Sequence, residues 1–140
     1  MNSSPRANAA STPNAPAPLP DPQRGEVWRV EFDPARGDEI RKLRPAVVVS
    51  VATAGKLALR VIVPLTGWHP AFARTFWHTP IQPAKSNGLS KPSSADTFQV
   101  RSLSVERFTD KIGTLTNDEM DAIARSIAVV VNAPSQSSAQ

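Results

Sequence analysis

Few side chains in this 140-residue chain could carry chemistry, and cysteine is not among them. Only two histidines are present, His69 and His78, and they do not have the spacing of a zinc or other transition-metal site. The chain also lacks a glycine-rich phosphate loop and the GxSxG and HExxH motifs. We therefore expect an enzyme with this sequence to use neither a metal nor an organic cofactor, and to work with arginine, threonine, serine, glutamate and at most one histidine.

Arg44 and Thr66 have side chains suited to a phosphate group and lie next to predicted strands. Arg44 precedes the β-branched run Pro45–Val51, and Thr66 follows the similar run Leu59–Leu65. Both runs are typical of strands buried on two faces. A guanidinium binds two phosphate oxygens at once, and a threonine hydroxyl can donate to the same group. Taken alone, Arg44 fits better as a surface salt bridge with Asp38 or Glu39, and Thr66 fits better as a turn hydroxyl at the end of a strand.

The charge of the chain favours a polyanionic ligand. The net charge is +4, and basic residues outnumber acidic ones from Arg24 to Arg107, whereas the balance reverses from Phe108 onward. A basic body attracts nucleic acid most simply. Ordinary solubilising charge would produce the same composition.

Short strands are predicted along most of the chain. Trp28, Val30 and Phe32 alternate with charged residues, which marks a half-buried strand before a charged loop at residues 34–43. The remaining predicted strands are Thr75–Ile81, Thr97–Leu103 and Lys111–Leu115.

A helix is predicted near the carboxyl end. Thr116 and Glu119 form a capping box, and an apolar face follows them. That face comprises Met120, Ile123, Ala124, Ile127 and Val131. Several short strands followed by one helix predict a mostly β domain, as a small barrel or twisted sheet with a helix packed on it.

The two ends of the chain differ in composition from its body. Residues 1–22 are rich in proline, alanine and serine, and residues 133–140 are similarly polar, so both predict disordered tails around a domain at 23–132. No segment has the apolar length of a signal peptide or a membrane span, so we expect a cytoplasmic protein with no membrane partner.

Four fragments occur in an order and spacing that identify a family. They are RGEVW from Arg24, GxExxKxRP from Gly37 to Pro45, VPLT from Val63, and GLxKxS from Gly88 leading to QVR at Gln99 and ER at Glu106. Together they closely resemble the MazF/PemK (Kid) toxins of type II toxin–antitoxin systems. The resemblance spans residues 23–132.

The resemblance implies a fold and an activity. The fold would be a small SH3-like barrel with helical additions, assembled as a homodimer. The activity would be metal-independent endoribonuclease cleavage of single-stranded RNA, often mRNA at a short motif. Attack by the 2′-OH would give a 2′,3′-cyclic phosphate and a 5′-OH, and an acidic antitoxin would block the same groove.

It also implies roles for particular residues. Arg44 and Thr66 match the catalytic pair, and Ser93 matches a position that contacts phosphate. The substrate-positioning residues would be Gly37, Glu39, Lys42, Lys91, Ser93 and Arg107, with His78, Gln99 and Arg101 as further candidates. Glu39 is either a general base or a reader of a base edge. The aspartate and arginine of Kid-type members are not transferred, because the matching region, Ala95–Phe98, departs from their motif.

Several alternatives stay open. His78 fits a proton donor or a packing residue, and Arg101 fits RNA or a structural ion pair. Trp68 and Trp77 fit stacking on unpaired bases or ordinary packing. A non-catalytic toxin that binds DNA gyrase shares this fold, but the helix carries no tryptophan to anchor it. A plain SH3-like RNA-binding module is the third alternative.

Overall fold

Seven strands and one α-helix make up the part of the chain that the computed structural model describes, residues 18–135. In chain order they are β1 Glu26–Glu31, β2 Leu43–Val48, β3 Leu59–Gly67, β4 His78–Ile81, β5 Ser93–Asp96, β6 Arg101–Ser104, β7 Phe108–Thr114 and α1 Asn117–Val130. Short 3₁₀ turns occupy Pro70–Arg74, Thr97–Gln99 and Val105–Arg107. No helix within residues 18–135 is long and apolar enough to cross a bilayer.

All the strand pairs are antiparallel, in the order β4-β5-β3-β2-β1-β7. The long strand β3 lies inside this order and pairs with three strands, β2, β5 and β6. Its first half, from Leu59 to Ile62, pairs with β6, and its second half, from Leu65 to Gly67, pairs with β5. Strand β3 therefore carries its final residues out of the barrel and into a separate small sheet.

Adjacent residues of the central strands face two different cores. The barrel core collects residues of β1, β2, β3, β6 and β7 with their flanking residues, namely Val30, Phe32, Ala46, Val48, Ile62, Leu103, Val105 and Phe108. The second core lies under α1 and contains Val27, Val47, Val63, Leu65, Ile81, Ala95, Leu115, Met120 and Ile123. Ala46 and Val47 thus point to opposite sides, as do Ile62 and Val63. The predicted fold class, a small barrel with a carboxy-terminal helix and strands buried on both faces, is confirmed.

The predicted capping box starts α1. The Thr116 hydroxyl accepts from the Glu119 amide at 3.1 Å, and the Glu119 carboxylate accepts from the Thr116 amide at 2.9 Å. The predicted apolar face was wrong at Ala124 and Val131, which are exposed. Ser126 is buried instead, since its hydroxyl donates to the Phe76 carbonyl at 3.0 Å.

Two predicted strands differ from the structure. The strand predicted at Thr97–Leu103 begins as a 3₁₀ turn, because the Asp96 carboxylate accepts from the Phe98 amide and caps that turn. The preceding strand β5 was not predicted, since its small residues carry no β-branched signal. The strand predicted from Thr75 begins only at His78.

Residues just before the predicted domain boundary are packed. Pro22 is fully buried, and its carbonyl accepts from Arg60 Nε at 2.7 Å. Asp21 accepts from Arg60 Nη2 at 2.8 Å. Packing therefore extends to Asp21, two residues before the predicted start at Gln23. Most of the two predicted tails lies outside the described residues.

Candidate functional site

A small cleft forms where β2 begins and β3 ends. Its volume is about 120 Å³. The polar and charged residues that line it are Arg29, Arg44, Thr66, Ser90, Lys91 and Ser93. Four of these, Arg44, Thr66, Lys91 and Ser93, were predicted from the sequence as site residues.

Arg44 and Thr66 line the same cleft, just beyond the paired part of β2 and β3. The pairing ends at Ala46 with Pro64; Arg44 lies two residues before Ala46, and Thr66 lies two residues after Pro64. Arg44 is exposed, and its Nε donates to the Arg41 carbonyl at 3.2 Å. Its other N–H groups make no hydrogen bond within the described part of the chain. The guanidinium therefore keeps donors available for a ligand.

Lys91 reaches the same cleft from the loop before β5. Gly67 pairs with Ser93, and the Trp68 amide donates to the Pro92 carbonyl at 3.0 Å. A Cβ on Gly67 would lie 3.2 Å from Lys91 Nζ. The ammonium group therefore lies directly over Gly67, beside Thr66.

The loop that carries Lys91 is held by a turn at Asn87 and Gly88. Asn87 is buried, and its carboxamide oxygen accepts from the amides of Ala84 and Leu89 at 3.1 and 3.0 Å. Gly88 has φ +72°, and a Cβ there would lie 2.1 Å from the Ile112 carbonyl oxygen. Only glycine allows the loop to approach β7 this closely. The loop is therefore built to a fixed shape.

Ser93 binds the backbone of this loop. Its side chain is buried, and its hydroxyl donates to the Lys91 carbonyl at 3.0 Å. The hydroxyl proton is thus used within the protein. Ser93 holds Lys91 in place, and only its lone pairs remain for other contacts.

Arg29 lines the cleft but was not predicted as a site residue. It lies on β1 opposite Pro45, and its Nη1 contacts Asp110 Oδ2 at 2.9 Å. With Arg44 and Lys91 it brings three cations to one cleft, and none of the lining residues that the structure describes is acidic. The sequence showed only a charged residue alternating with apolar ones, and the pairing of β1 with the Arg44 strand could not be read from it.

Arg107 lies outside the cleft. Its Nη1 donates to the carbonyls of Glu31 and Asp33 at 3.0 and 2.7 Å. These contacts fix the end of β1 and the start of the following loop. Arg107 thus makes structural contacts through Nη1, and its contact with RNA stays a prediction.

The loop at residues 33–42 also lies apart from the cleft lining. Gly37 and Lys42 adopt positive φ angles of 56° and 68° within it. The Glu39 carboxylate accepts from the Arg36 amide at 2.7 Å, so it is engaged inside the loop. Gln99 attaches the loop to the body of the protein, since its carboxamide oxygen accepts from the Ile40 amide at 2.7 Å.

His78 is packed rather than presented to the cleft. Its ring stacks on Phe72 with centroids 3.8 Å apart, and Nδ1 lies 2.6 Å from the Thr75 hydroxyl. Burial lowers the pKa of His78, although Asp96, 3.8 Å away, acts in the opposite direction. Trp68 likewise packs edge-on against Phe72. These contacts favour the packing alternative for both residues.

A second, open groove lies beside the loop. Its volume is about 650 Å³, and Asp38, Glu39, Trp77, Asp96, Phe98 and Gln99 line it. Trp77 packs edge-on against Phe98, which is exposed. Arg101, on β6 opposite Ile62, lines neither opening.

The described residues offer no ready metal site. Within residues 18–135, no group of three or more histidine, aspartate or glutamate side chains could hold an ion. The cleft instead presents guanidinium, ammonium and hydroxyl donors. Such a set binds a phosphodiester and stabilises added negative charge on it.

Comparisons with known proteins identify relatives of the chain. The sequence model of one protein family, described as the PemK-like, MazF-like toxin of type II toxin–antitoxin system, matches residues 23–131. Endoribonuclease MazF9 of Mycobacterium tuberculosis (strain ATCC 25618 / H37Rv) is 36% identical over 104 residues, which cover 70% of this chain and 86% of the relative.

Solved structures share the fold. MazF (Form-I) from Deinococcus radiodurans superposes with a TM-score of 0.67 at 21% identity, covering 83% of this chain and 99% of that chain. An endoribonuclease in complex with its cognate antitoxin, from Mycobacterial species, gives a TM-score of 0.64 at 20% identity over 83% of this chain and 100% of that chain.

Proposed function

Because the chain belongs to the PemK-like, MazF-like toxins of type II toxin–antitoxin systems, we propose that it is an endoribonuclease toxin neutralised by a cognate antitoxin. The observation that carries the proposal is the cleft that Arg44, Thr66 and Lys91 line together. Its substrate is single-stranded RNA, whose backbone can enter a shallow opening that a duplex cannot reach into.

The proposed reaction is an internal transesterification. The 2′-oxygen bonds to the adjacent phosphorus while the bond from phosphorus to the 5′-oxygen breaks. The 2′-OH loses a proton and the departing 5′-oxygen gains one, which gives a 2′,3′-cyclic phosphate and a 5′-OH. Negative charge accumulates on the phosphorane oxygens, and Arg44 and Thr66 are the donors that stabilise it.

The base for the 2′-OH has to come from outside the cleft lining. Arginine is an unsuitable base, because its guanidinium does not lose a proton in proteins. Glu39 belongs to the loop that leads toward Arg44, and we assign the role of base to it. Its carboxylate has to leave the Arg36 amide first, so the loop rearranges when RNA binds.

A divalent ion has no part in the proposed mechanism. Arg44 and Lys91 supply the positive charge that a metal ion supplies in many other nucleases. Cleavage therefore continues when divalent ions are chelated.

Two protein partners complete the proposal. The active form is a homodimer, and an acidic antitoxin segment occupies the cleft that binds RNA, because the same cations attract carboxylates and phosphates.

A saturating antitoxin peptide therefore displaces an uncleavable RNA from the protein, and the affinities for peptide and for RNA both fall as the salt concentration rises. A stable ternary complex of toxin, peptide and RNA would show instead that inhibition acts from a separate site.

The test is cleavage of a mixed-sequence RNA by purified protein in EDTA, with the new 5′ ends mapped. We expect fragments with 5′-OH and cyclic-phosphate ends at a short recurring motif, and none from the folded Arg44→Ala variant. Activity that disappears in EDTA and returns with a divalent ion would contradict metal independence. RNA that is bound but left intact would identify the protein as a binding module.

A further inference from the structure

We propose that Arg29 is a second phosphate-binding residue, which holds the phosphodiester next to the one that is cleaved. This inference rests on the proposed endoribonuclease function and adds to it one contact outside the predicted site. It follows from the position of Arg29 in the cleft and from the small number of hydrogen bonds that its guanidinium makes. The contrast with Arg60 and Arg107, which donate to backbone carbonyls, supports it.

The strand pairing places Arg29 beside the catalytic pair. Arg29 is opposite Pro45, the residue that follows Arg44, and it lines the same cleft as Thr66 and Lys91. A cleft of about 120 Å³ cannot enclose a nucleotide, so the RNA backbone has to run across its mouth. Cations at two positions along the mouth of the cleft can each bind a phosphate, because RNA carries one negative charge at every nucleotide.

Most of the Arg29 guanidinium remains available. Its only hydrogen-bond partner in the described part of the chain is Asp110, which Nη1 contacts at 2.9 Å. The side chains of Arg29 and Asp110 are 46% and 55% exposed. Exposed ion pairs of this kind are weak, so the contact orients the guanidinium without occupying its remaining N–H donors.

Two other arginines are used very differently. Arg60 is buried and donates to Asp21 and to the carbonyls of Pro22, Leu57 and Leu59. Arg107 donates to two backbone carbonyls. Both guanidinium groups hold the fold together, whereas Arg29 has one exposed partner and faces a cleft that already contains Arg44 and Lys91.

The first measurement is the salt dependence of RNA binding. The probe is the RNA that the wild-type protein cleaves, with a 2′-deoxy sugar at the mapped site so that it stays intact. Arg29→Ala should weaken binding by about tenfold. It should also make the plot of log K against log salt shallower by about 0.7, the contribution of one phosphate contact to a single strand. On cleavable RNA, KM should rise while kcat changes little.

Two control variants separate the contact from its alternatives. Arg125→Ala removes the same charge from an exposed position on α1 that does not line the cleft, and it should leave the salt slope unchanged. Asp110→Asn breaks the same ion pair but keeps Arg29, and it should also leave the slope unchanged. A slope change in Asp110→Asn equal to that in Arg29→Ala would assign the effect to the ion pair and overturn the proposal.

The two proposals fail in different ways. If the wild-type protein does not cleave RNA, the proposed function is wrong, and the salt slope can still be measured on intact RNA of mixed sequence. If the wild-type protein cleaves RNA and Arg29→Ala binds like Arg125→Ala, only the role of Arg29 is wrong. Thermal unfolding of each variant confirms that the compared proteins are folded.

Discussion

In the proposed mechanism, Arg44 and Thr66 offer a phosphorane two different kinds of donor. The Arg44 guanidinium carries a permanent charge and several N–H groups in one plane, whereas the Thr66 hydroxyl is neutral and donates once. Both side chains line one small cleft. Removing the charged donor should therefore cost more than removing the neutral one.

Arg44→Ala should lower the cleavage rate by a factor of roughly a hundred to a thousand or more, because one preorganised donor already contributes that much to a developing charge. Thr66→Ala should lower it less, and Thr66→Ser should retain most activity because it keeps the hydroxyl. Single-turnover cleavage of one defined RNA measures all three. Near-normal cleavage by a folded Arg44→Ala protein would remove Arg44 from the mechanism.

Glu26 is a second residue whose surroundings have a measurable consequence. Burial raises its pKa, but hydrogen bonds from the Gln23 amide, the Trp28 indole and the Lys111 ammonium outweigh burial, so the pKa of Glu26 lies below its usual value. The folded state therefore binds this proton less readily than the unfolded state. The resulting stability is fully present above the unfolded pKa and is lost as pH falls through the lower, folded pKa.

Glu26→Gln should weaken the dependence of stability on pH in the acid range, because glutamine cannot take up the proton. Urea unfolding from pH 7 down to pH 3 would show this as a smaller loss of unfolding free energy than in the wild-type protein. Asp118→Asn, at an exposed position in the first turn of α1, is the matched control. Equal acid sensitivity in wild-type and Glu26→Gln proteins would contradict the role given to Glu26.

Among the structural elements, the loop at residues 33–42 is held near its centre by the Gln99 side chain, in addition to contacts nearer its two ends. Gln99 accepts from the Ile40 amide at 2.7 Å and donates to Asp96 Oδ2 at 2.9 Å. The two contacts fix both ends of its carboxamide. In the proposed mechanism the loop rearranges to bring Glu39 to the RNA, and the Gln99 contact with Ile40 opposes that rearrangement.

Gln99→Ala should increase hydrogen exchange in the loop, most clearly at the Ile40 amide, while exchange in α1 stays unchanged. The melting temperature should fall only slightly, since the loop carries few buried apolar contacts. Gln82→Ala, which changes an exposed glutamine elsewhere, is the control. Unchanged exchange at Ile40 would show that other contacts hold the loop.

For the molecule as a whole, the Arg60 guanidinium joins Asp21 and Pro22 to β3. It is buried and holds Asp21 and Pro22 against the chain. Hydrogen bonds to charged groups contribute about 1.5–3 kcal/mol, and losing the partners of a buried charge costs at least as much. The amino-terminal segment therefore contributes to stability from Asp21 onward.

Deleting residues 1–20 should leave the melting temperature and the cleavage rate essentially unchanged, because this segment has too few apolar side chains to pack. Extending the deletion through Pro22 should lower the melting temperature by several degrees, since Arg60 then loses two partners. Differential scanning calorimetry of the two truncated proteins measures the difference. Equal melting temperatures would show that the anchor contributes little.

The sequence by itself determined the features that depend on near neighbours. The capping box at Thr116 specified the start of α1, and the β-branched runs specified strands buried on two faces. The ordered fragments specified the family, and with it the candidate pair Arg44 and Thr66. Each of these signals lies within a few residues of the structure that it predicts.

Only the tertiary structure decided which distant residues meet. Strand register brought Arg29 to the cleft, and the packing of Gly88 on β7 fixed the loop that carries Lys91. The Arg107 guanidinium donates to backbone carbonyls 76 and 74 residues away in the sequence. A side chain's partners depend on which strands bury their faces together. Which strands pack together depends on the free energy of the whole core, so no local pattern in the sequence predicts it.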